Sequence, residues 1–226
     1  MAGQEIDKDL VLGLSLAGTF VFGLTGGLAG VRARFHFFGV ITLAAVVGLA
    51  GGITRDLLIG EDPAAFRDWI YLGVAGLAGV VSFFLRPGLE RREHEILVLD
   101  AAGLGLFCVT GATTALNDDV MAVPAIVVGV ITAVGGGLLR DLLVGRIPVI
   151  LQGDLYAVPA AVGATIATVA YEAGAEGPYF AILAALVCFA MRLAGMRYHL
   201  RLPIAPSEGG FRLAAKDPPA SQGEGE

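Results

Sequence analysis

The feature that most constrains this chain is a series of seven long stretches that contain no Asp, Glu, Lys, Arg or His. Each is close to the roughly 20 residues that a helix needs to cross about 30 Å of hydrocarbon. The stretches are residues 10–31, 37–54, 69–85, 101–117, 120–139, 155–171 and 177–191. With 56% apolar and only 16% charged residues, the chain is too apolar for an ordinary water-soluble domain. We therefore predict an all-α integral membrane protein with seven transmembrane helices.

Two of these stretches end in nearly the same motif. GGITRDLLIGEDP occupies residues 51–63, GGGLLRDLLVGRIP occupies residues 135–148, and the two copies align at a constant offset of 85 positions. The same offset pairs helices 1–3 with helices 4–6, and an odd number of crossings separates matched points. We therefore predict two repeats of opposite orientation, at about 9–86 and about 94–172, followed by a seventh helix at about 178–199.

Basic residues predict how the helices are oriented. With the N-terminus outside, twelve Lys and Arg residues fall on the inner side and three, Lys8, Arg55 and Arg67, on the outer side. Cytoplasmic loops carry such an excess, so we predict a multi-pass protein of the cell (inner) membrane with a cytoplasmic C-terminus. The first stretch is long enough to be retained as a helix rather than cleaved as a signal peptide. Residues 201–226 are rich in Pro, Ser, Gly and Glu and are predicted to form a disordered tail.

Adjacent glycines in the two motifs are candidates for breaks in membrane helices. Gly51 and Gly52, and Gly135, Gly136 and Gly137, are consecutive, whereas close helix packing asks for small residues about four apart. A broken helix frees backbone carbonyls, which is tolerated where they line a hydrated cavity. We therefore predict that helices 2 and 5 are kinked at these glycines and that the freed carbonyls contact a passing cation. The alternative is that the glycines only allow close packing.

The motif charges lie about one helical turn beyond the glycines. Neighbouring residues on a helix point about 100° apart, so Arg55 and Arg140 are not expected to be neutralised by Asp56 and Asp141 beside them. A buried arginine normally finds a partner. Asp100, near the start of helix 4, lies at the depth expected for Arg140, and we predict that these two residues pair. The alternative is that the four motif charges anchor helix ends at the membrane interface.

The repeat places a serine where the second half has Asp100. Ser15 matches Asp100 at the offset of 85 and should lie near Arg55. Because a serine can only hydrogen-bond, we expect Arg55 to be more available to solvent or to its own loop than Arg140 is.

Four further residues on helices 1 and 4 keep the same offset. Phe22 matches Phe107, and Thr25 matches Thr110. An isolated Phe in a membrane helix usually faces lipid or packs, but matched pairs in both halves are also placed to narrow a pathway. We treat these four residues as candidates for a pore constriction that the threonine hydroxyls help to line.

The remaining chemical groups fit structural roles. Trp69, Tyr71 and Tyr156 are typical of aromatic residues at the membrane interface, and Cys108 and Cys188 of buried free thiols. The formal charge of −6 and the lack of a basic, aromatic-interleaved stretch exclude a nucleic-acid partner. No catalytic Ser/His/Asp or Cys/His set and no phosphate loop is apparent, and the three His are too far apart for a metal cluster. We expect no enzyme activity, cofactor or bound metal.

The paired glycine–RD motifs and seven predicted crossings resemble the prokaryotic branch of the trimeric intracellular cation (TRIC) channel family, over about residues 9–200. The resemblance implies a homotrimer, surrounded by membrane lipid, in which each subunit has its own pore lined by helices kinked at the glycine motifs. It implies passage of potassium and sodium with modest preference. Position 50 is Ala where the second copy has Gly135, so the first kink is expected to be less pronounced.

These observations predict a passive channel for monovalent cations in which hydrated vestibules from each face meet at the opposed breaks. Two staggered breaks offer few ligands, which predicts weak selectivity. Arginines near the path should repel divalent cations, while the aspartates oppose anion passage. The alternative is a secondary transporter of a small zwitterion such as glycine, because inverted repeats with broken helices also serve alternating access. Charged motifs within the bilayer do not favour a scaffold without transport.

Overall fold

A computed structural model of the chain describes residues 8–85, 93–152, 155–175 and 178–200, and over these ranges the regular structure is entirely helical. The predicted tail and the basic loop at 86–92 lie outside the described residues. Seven helices have 16 or more residues: α1 (Lys8–Arg32), α2 (Phe37–Ile59), α3 (Trp69–Phe84), α4 (Glu93–Asn117), α5 (Ala122–Leu143), α6 (Ala157–Glu172) and α7 (Pro178–Arg197). A four-residue helix, Ala64–Arg67, precedes α3, and a 3-10 turn, Val149–Leu151, precedes α6.

Length and composition distinguish two groups among these helices. Within the described ranges, α1, α2, α4, α5 and α7 are long and apolar enough to cross a membrane, whereas α3 and α6 are apolar but only 16 residues long. The all-α prediction is confirmed for the described residues, and five of the seven predicted crossings have helices of spanning length.

The helices form two groups of three that pack against each other. Helices α1, α2 and α3 contact one another, as do α4, α5 and α6; α1 packs on α4, α2 packs on α5, and α7 packs on α4 and α6. The ring of Phe107 covers Gly18, and the ring of Phe22 covers Gly103. As residue numbers rise along α1 they fall along α4, so these two helices are antiparallel at the centre of the molecule.

The predicted breaks at the glycine motifs are wrong. Helix α2 continues through Gly51 and Gly52, and α5 continues through Gly135, Gly136 and Gly137, without a change of helix type. Their carbonyls therefore remain in helical backbone and are not freed for an ion. In an apolar environment each lost backbone hydrogen bond is costly, which favours the continuous helix over the conformational freedom of glycine.

The glycines instead allow α2 and α5 to approach each other closely. A methyl group on Gly51 would collide with the carbonyl oxygen of Thr132, and one on Gly136 would lie 2.8 Å from the carbonyl oxygen of Val47. These two contacts also show that α2 and α5 are antiparallel. The packing alternative therefore describes Gly51 and Gly136, whereas Gly52 has no neighbour within 4 Å of an added methyl group.

Each motif ends its helix in the same way. Gly60 has φ 84° and Gly145 has φ 74°, the left-handed conformation that glycine adopts without a side-chain clash. The next amide then bonds back to the carbonyl of the motif aspartate, which completes the turn that terminates the helix. The bonds are Glu61 N to Asp56 O at 2.9 Å and Arg146 N to Asp141 O at 2.8 Å. Pro63 and Pro148 start the short helix that follows.

Candidate functional site

Each motif arginine bonds to the aspartate beside it. Arg55 Nε donates to Asp56 Oδ1 at 2.8 Å, and Arg140 Nε donates to Asp141 Oδ1 at 2.9 Å. The expectation that neighbours about 100° apart would not pair is wrong, because the long, flexible arginine stem folds back along the helix. Arg55 is 5% exposed and Arg140 is 4% exposed, and both aspartates are buried as well. All four motif charges are therefore enclosed by protein.

The second carboxylate oxygen of each aspartate binds the loop that follows. Asp56 Oδ2 accepts the amide of Ala64 at 2.8 Å, and Asp141 Oδ2 accepts the amide of Val149 at 3.1 Å. Ala64 and Val149 each begin a short helix, whose first amides lack acceptors within the helix. Each aspartate thus accepts from the arginine with one oxygen and from the first amide of the next helix with the other.

The predicted Asp100–Arg140 pair is confirmed. Arg140 Nη1 donates to Asp100 Oδ1 at 2.6 Å, and Asp100 is completely buried. At the matched place in the first half, Ser15 and Arg55 line the same cavity. Arg55 is nevertheless almost as buried as Arg140, so the expected greater access of Arg55 to solvent is wrong.

A pair of phenylalanines occupies the centre, between the two groups of charges. The rings of Phe22 and Phe107 have centroids 5.2 Å apart and planes tilted by 41°. Phe107 packs against Gly51 of α2, and Phe22 packs against Gly136 of α5. Both rings are buried, so the two residues matched by the repeat meet each other and do not face lipid.

A cavity adjoins each Arg–Asp pair. The first holds about 10 Å³ and is lined in part by Ser15, Arg55, Asp56, Tyr71 and Phe107. The second holds about 200 Å³, and its polar walls are Arg32, Arg140, Asp141, Arg146 and Gln152. Because α2 and α5 are antiparallel, the two motif charges, and with them the two cavities, lie toward opposite ends of the helix pair. The phenylalanine pair lies between them.

Comparisons with known proteins identify the family. A family model described as "Glycine transporter" matches residues 12–87 and again residues 97–172. A UPF0126 membrane protein of Streptomyces coelicolor is 46% identical over 89% of this chain and 95% of its own, and the UPF0126 inner membrane protein YadS of Escherichia coli is 34% identical over 86% and 95%. The TRIC trimeric intracellular cation channel orthologue from Rhodobacter sphaeroides is 35% identical, with a TM-score of 0.81 over 85% of this chain and 100% of that one.

The chain belongs to the prokaryotic TRIC family. Its relatives are membrane proteins, and its fold is that of the solved TRIC orthologue. The two segments of this TRIC chain that match the family model begin at residues 12 and 97, which are 85 positions apart, the same offset as the motif repeat.

Two tyrosines of this TRIC chain join the charged clusters and were missed as site residues. Tyr156 lies beside Asp100 and Gly137 and is only 2% exposed, so it is enclosed by protein. Tyr71 lines the first cavity with Ser15. Tyr71 and Tyr156 differ by 85 positions, so the repeat offset applied to aromatic residues would have found them. Trp69, by contrast, is 81% exposed.

The matched threonines of this TRIC chain differ in their bonding. Thr25 Oγ1 donates to the carbonyl of Phe22 in its own helix at 2.8 Å. The hydroxyl of Thr110 is buried and has no hydrogen-bond partner among the described residues. Cys108 and Cys188 are buried free thiols, as predicted. Within the described ranges, no group of three or more His, Cys, Asp or Glu residues is placed to hold a metal ion.

Proposed function

We propose that this TRIC family member is a channel for monovalent cations, potassium and sodium, with an ion path in each subunit of a homotrimer. The observation that carries the proposal is the pair of cavities, each walled by a buried Arg–Asp pair, with the phenylalanine pair between them. Similarity to the solved TRIC trimeric intracellular cation channel orthologue from Rhodobacter sphaeroides supports the same function and assembly.

The proposed path runs beside intact helices and not through breaks in them. Its ligands are side-chain oxygens, such as those of Ser15 and Asp100, together with water, because the carbonyls of both glycine runs stay in helical backbone. The rings of Phe22 and Phe107 close the path in this arrangement, and opening requires them to move off the glycines that they cover. Rings of backbone carbonyls give potassium channels their selectivity, so a path without such a ring discriminates weakly between potassium and sodium.

Charge next to the path is balanced within each Arg–Asp pair, and selection against divalent cations requires that the guanidinium lie closer to the path than the carboxylate. Each arginine is paired with an aspartate, so neither a cation nor an anion meets an isolated charge of the opposite sign. Repulsion from a guanidinium doubles for a divalent ion, because the Coulomb energy scales with its charge. The aspartates oppose anions in the same way.

We also propose seven crossings, with the N-terminus outside and the C-terminus in the cytoplasm. The antiparallel contacts of α1 with α4 and of α2 with α5 support two halves of opposite orientation. Twelve Lys and Arg residues against three support the direction of insertion. Helices α3 and α6 of 16 residues cover about 24 Å, so they cross with the help of the turns that flank them.

Potassium flux into liposomes that hold the purified protein tests the proposal. We expect a flux that rises linearly with the potassium gradient, is shared by sodium and needs no organic substrate. Liposomes without protein, and liposomes with an unrelated membrane protein, are the controls. Potassium flux no greater than in the controls would overturn the channel proposal.

A secondary transporter of a small zwitterion such as glycine is the second candidate, because two halves of opposite orientation also serve alternating access. A transporter would accumulate radiolabelled glycine with saturation and would exchange internal for external glycine. Measuring both solutes in the same vesicles separates the two functions. Saturable glycine uptake without potassium flux would replace the channel with the transporter.

A further inference from the structure

A buried arginine of α7 takes no part in the path as proposed above. Arg192 is 1% exposed, and among the described residues it forms no ion pair. Its Nη1 donates to the carbonyl of Leu155 at 3.0 Å, and its guanidinium carbon lies 4.8 Å from the centroid of the Tyr156 ring. Its Nε has no hydrogen-bond partner among the described residues. A desolvated charge without an ion pair is costly, so stacking on Tyr156 is a principal interaction of this side chain.

The hydroxyl end of Tyr156 reaches the second Arg–Asp cluster. A methyl group on Gly137 would collide with this hydroxyl and would lie 3.2 Å from Asp100 Oδ1. Asp100 Oδ1 is the oxygen that accepts from Arg140. Tyr156 therefore connects the guanidinium of α7 to the charged pair formed by α4 and α5.

Tyr156 contacts α5 close to the proposed path. Along α5, Arg140 lines the second cavity, Gly137 one turn earlier faces Tyr156, and Gly136 packs against Phe22. Tyr156 thus contacts α5 within one helical turn of both the wall of the second cavity and the phenylalanine pair. The stack on Arg192, packing against Gly137, and the contact of the Tyr156 hydroxyl with the Asp100 carboxylate hold the ring in place.

We propose that Arg192 is a positioning residue that holds Tyr156 across the path and so stabilises its closed arrangement. The inference rests on the proposed channel function. The stack of an arginine on a tyrosine is found beside the second Arg–Asp pair and not the first. Helix α7 lies outside the repeat and, among the described residues, no arginine stacks on the matched Tyr71. The stack couples the seventh helix to a path that the other helices build.

Single-channel recording in planar bilayers tests the role of the stack. Arg192→Gln and Tyr156→Leu should each raise the open probability by about five- to thirtyfold, the effect on a two-state equilibrium of losing one desolvated cation–π contact. Unit conductance and the potassium-to-sodium permeability ratio should not change. Arg192→Lys keeps the charge but loses the planar stack, and should give an intermediate increase.

Matched variants separate positioning from general destabilisation. Arg197→Gln, at an exposed site on the same helix, should leave the open probability unchanged. Tyr156→Phe keeps the stacked ring but loses the hydroxyl next to Asp100, and should raise the open probability less than Tyr156→Leu does. An increase in Tyr156→Phe as large as that in Tyr156→Leu would overturn the inference, because the hydroxyl and not the stack would then hold the path closed.

A double-mutant comparison gives a readout that needs no ion flux. The double variant Arg192→Gln with Tyr156→Leu should lower the melting temperature only as much as the more destabilising of its two single variants. The double variant Arg192→Gln with Tyr71→Leu should lower it by the sum of its two single effects. Additive falls for the first pair would overturn the inference.

The two proposals can fail separately. If wild type passes no potassium but the falls in melting temperature are not additive, the channel proposal fails and the contact between Arg192 and Tyr156 is still supported. If wild type conducts and Arg192→Gln leaves the open probability unchanged, the inference alone fails.

Discussion

The buried charges of this chain are satisfied mainly by close neighbours. Arg55 and Arg140 each share an oxygen of the adjacent aspartate, and Arg140 also binds Asp100. Ser15 occupies the matched place in the first half, so the two clusters differ by one carboxylate. That difference makes the contribution of Asp100 measurable against an internal control.

Asp100→Asn should destabilise the protein by about 2 kcal/mol, because Arg140 loses a charge-assisted hydrogen bond in a buried site. Thermal melting of the detergent-purified protein measures the effect. Ser15→Ala at the matched position should change stability by less than about 1 kcal/mol. An Asp100→Asn variant with the same melting temperature as wild type would contradict this account of the Asp100–Arg140 pair.

Phe107→Ala should raise potassium flux, because the ring lines the first cavity and its removal joins that cavity to the space around Phe22. The same change should cost about 3–5 kcal/mol of stability, as expected for a buried aromatic residue. Phe38→Ala, at a side chain that is 72% exposed, is the control and should leave flux unchanged. A Phe107→Ala variant that folds and conducts no better than wild type would show that this ring does not close the path.

At the scale of elements, the contact between α2 and α5 decides how the two halves meet. Its glycines are not equivalent. A methyl group on Gly51 would collide with a backbone carbonyl of α5, whereas one on Gly52 would meet nothing within 4 Å. The helix propensity of the two positions is the same, so only packing distinguishes them.

Gly51→Ala should destabilise the protein by about 1–3 kcal/mol, since neither backbone can yield without moving a helix. Gly52→Ala should be neutral or stabilising by up to about 1 kcal/mol, because alanine favours helix over glycine. Thermal melting of the two variants side by side measures the difference. Equal effects would indicate that the glycines act through helix propensity and not through close approach.

At the scale of the whole molecule, the proposed topology places both ends of the chain. The C-terminal tail is expected in the cytoplasm, because twelve of the fifteen Lys and Arg residues then lie inside. A protease added to inside-out membrane vesicles should remove an epitope tag fused to residue 226, while right-side-out vesicles should protect it. The reverse pattern would invert the predicted orientation.

The proposed assembly is a homotrimer with a path in each subunit. Native mass spectrometry of the detergent-purified protein should give three times the chain mass of 23.2 kDa as the main species. Trimers that mix wild-type and Phe107→Ala subunits should show current levels that add subunit by subunit. If the three subunits shared a single path, each mixed trimer would instead show one current level of intermediate size.

The spacing of residues along the sequence was enough to predict contacts between residues at the same membrane depth and between residues matched by the repeat. Counting residues from the ends of two apolar stretches placed Asp100 and Arg140 at one depth, and the offset of 85 marked Phe22 and Phe107 as a pair. Local geometry was a poorer guide. The direction of a Cα–Cβ bond does not fix where a long arginine side chain ends, so the bonds of Arg55 to Asp56 and of Arg140 to Asp141 were predicted not to form.

The sequence by itself determined that this is a helical membrane protein built from two related halves, because charge-free runs and a constant offset are properties of the chain alone. Only the tertiary structure decided what the glycines do, since runs such as Gly135 to Gly137 are compatible with a broken helix and with a continuous one. Packing against a neighbouring backbone and the cost of freed carbonyls in an apolar environment select the continuous helix. The burial of Tyr156 under Arg192 was likewise decided by α7, a helix distant in sequence, and no local pattern records that contact.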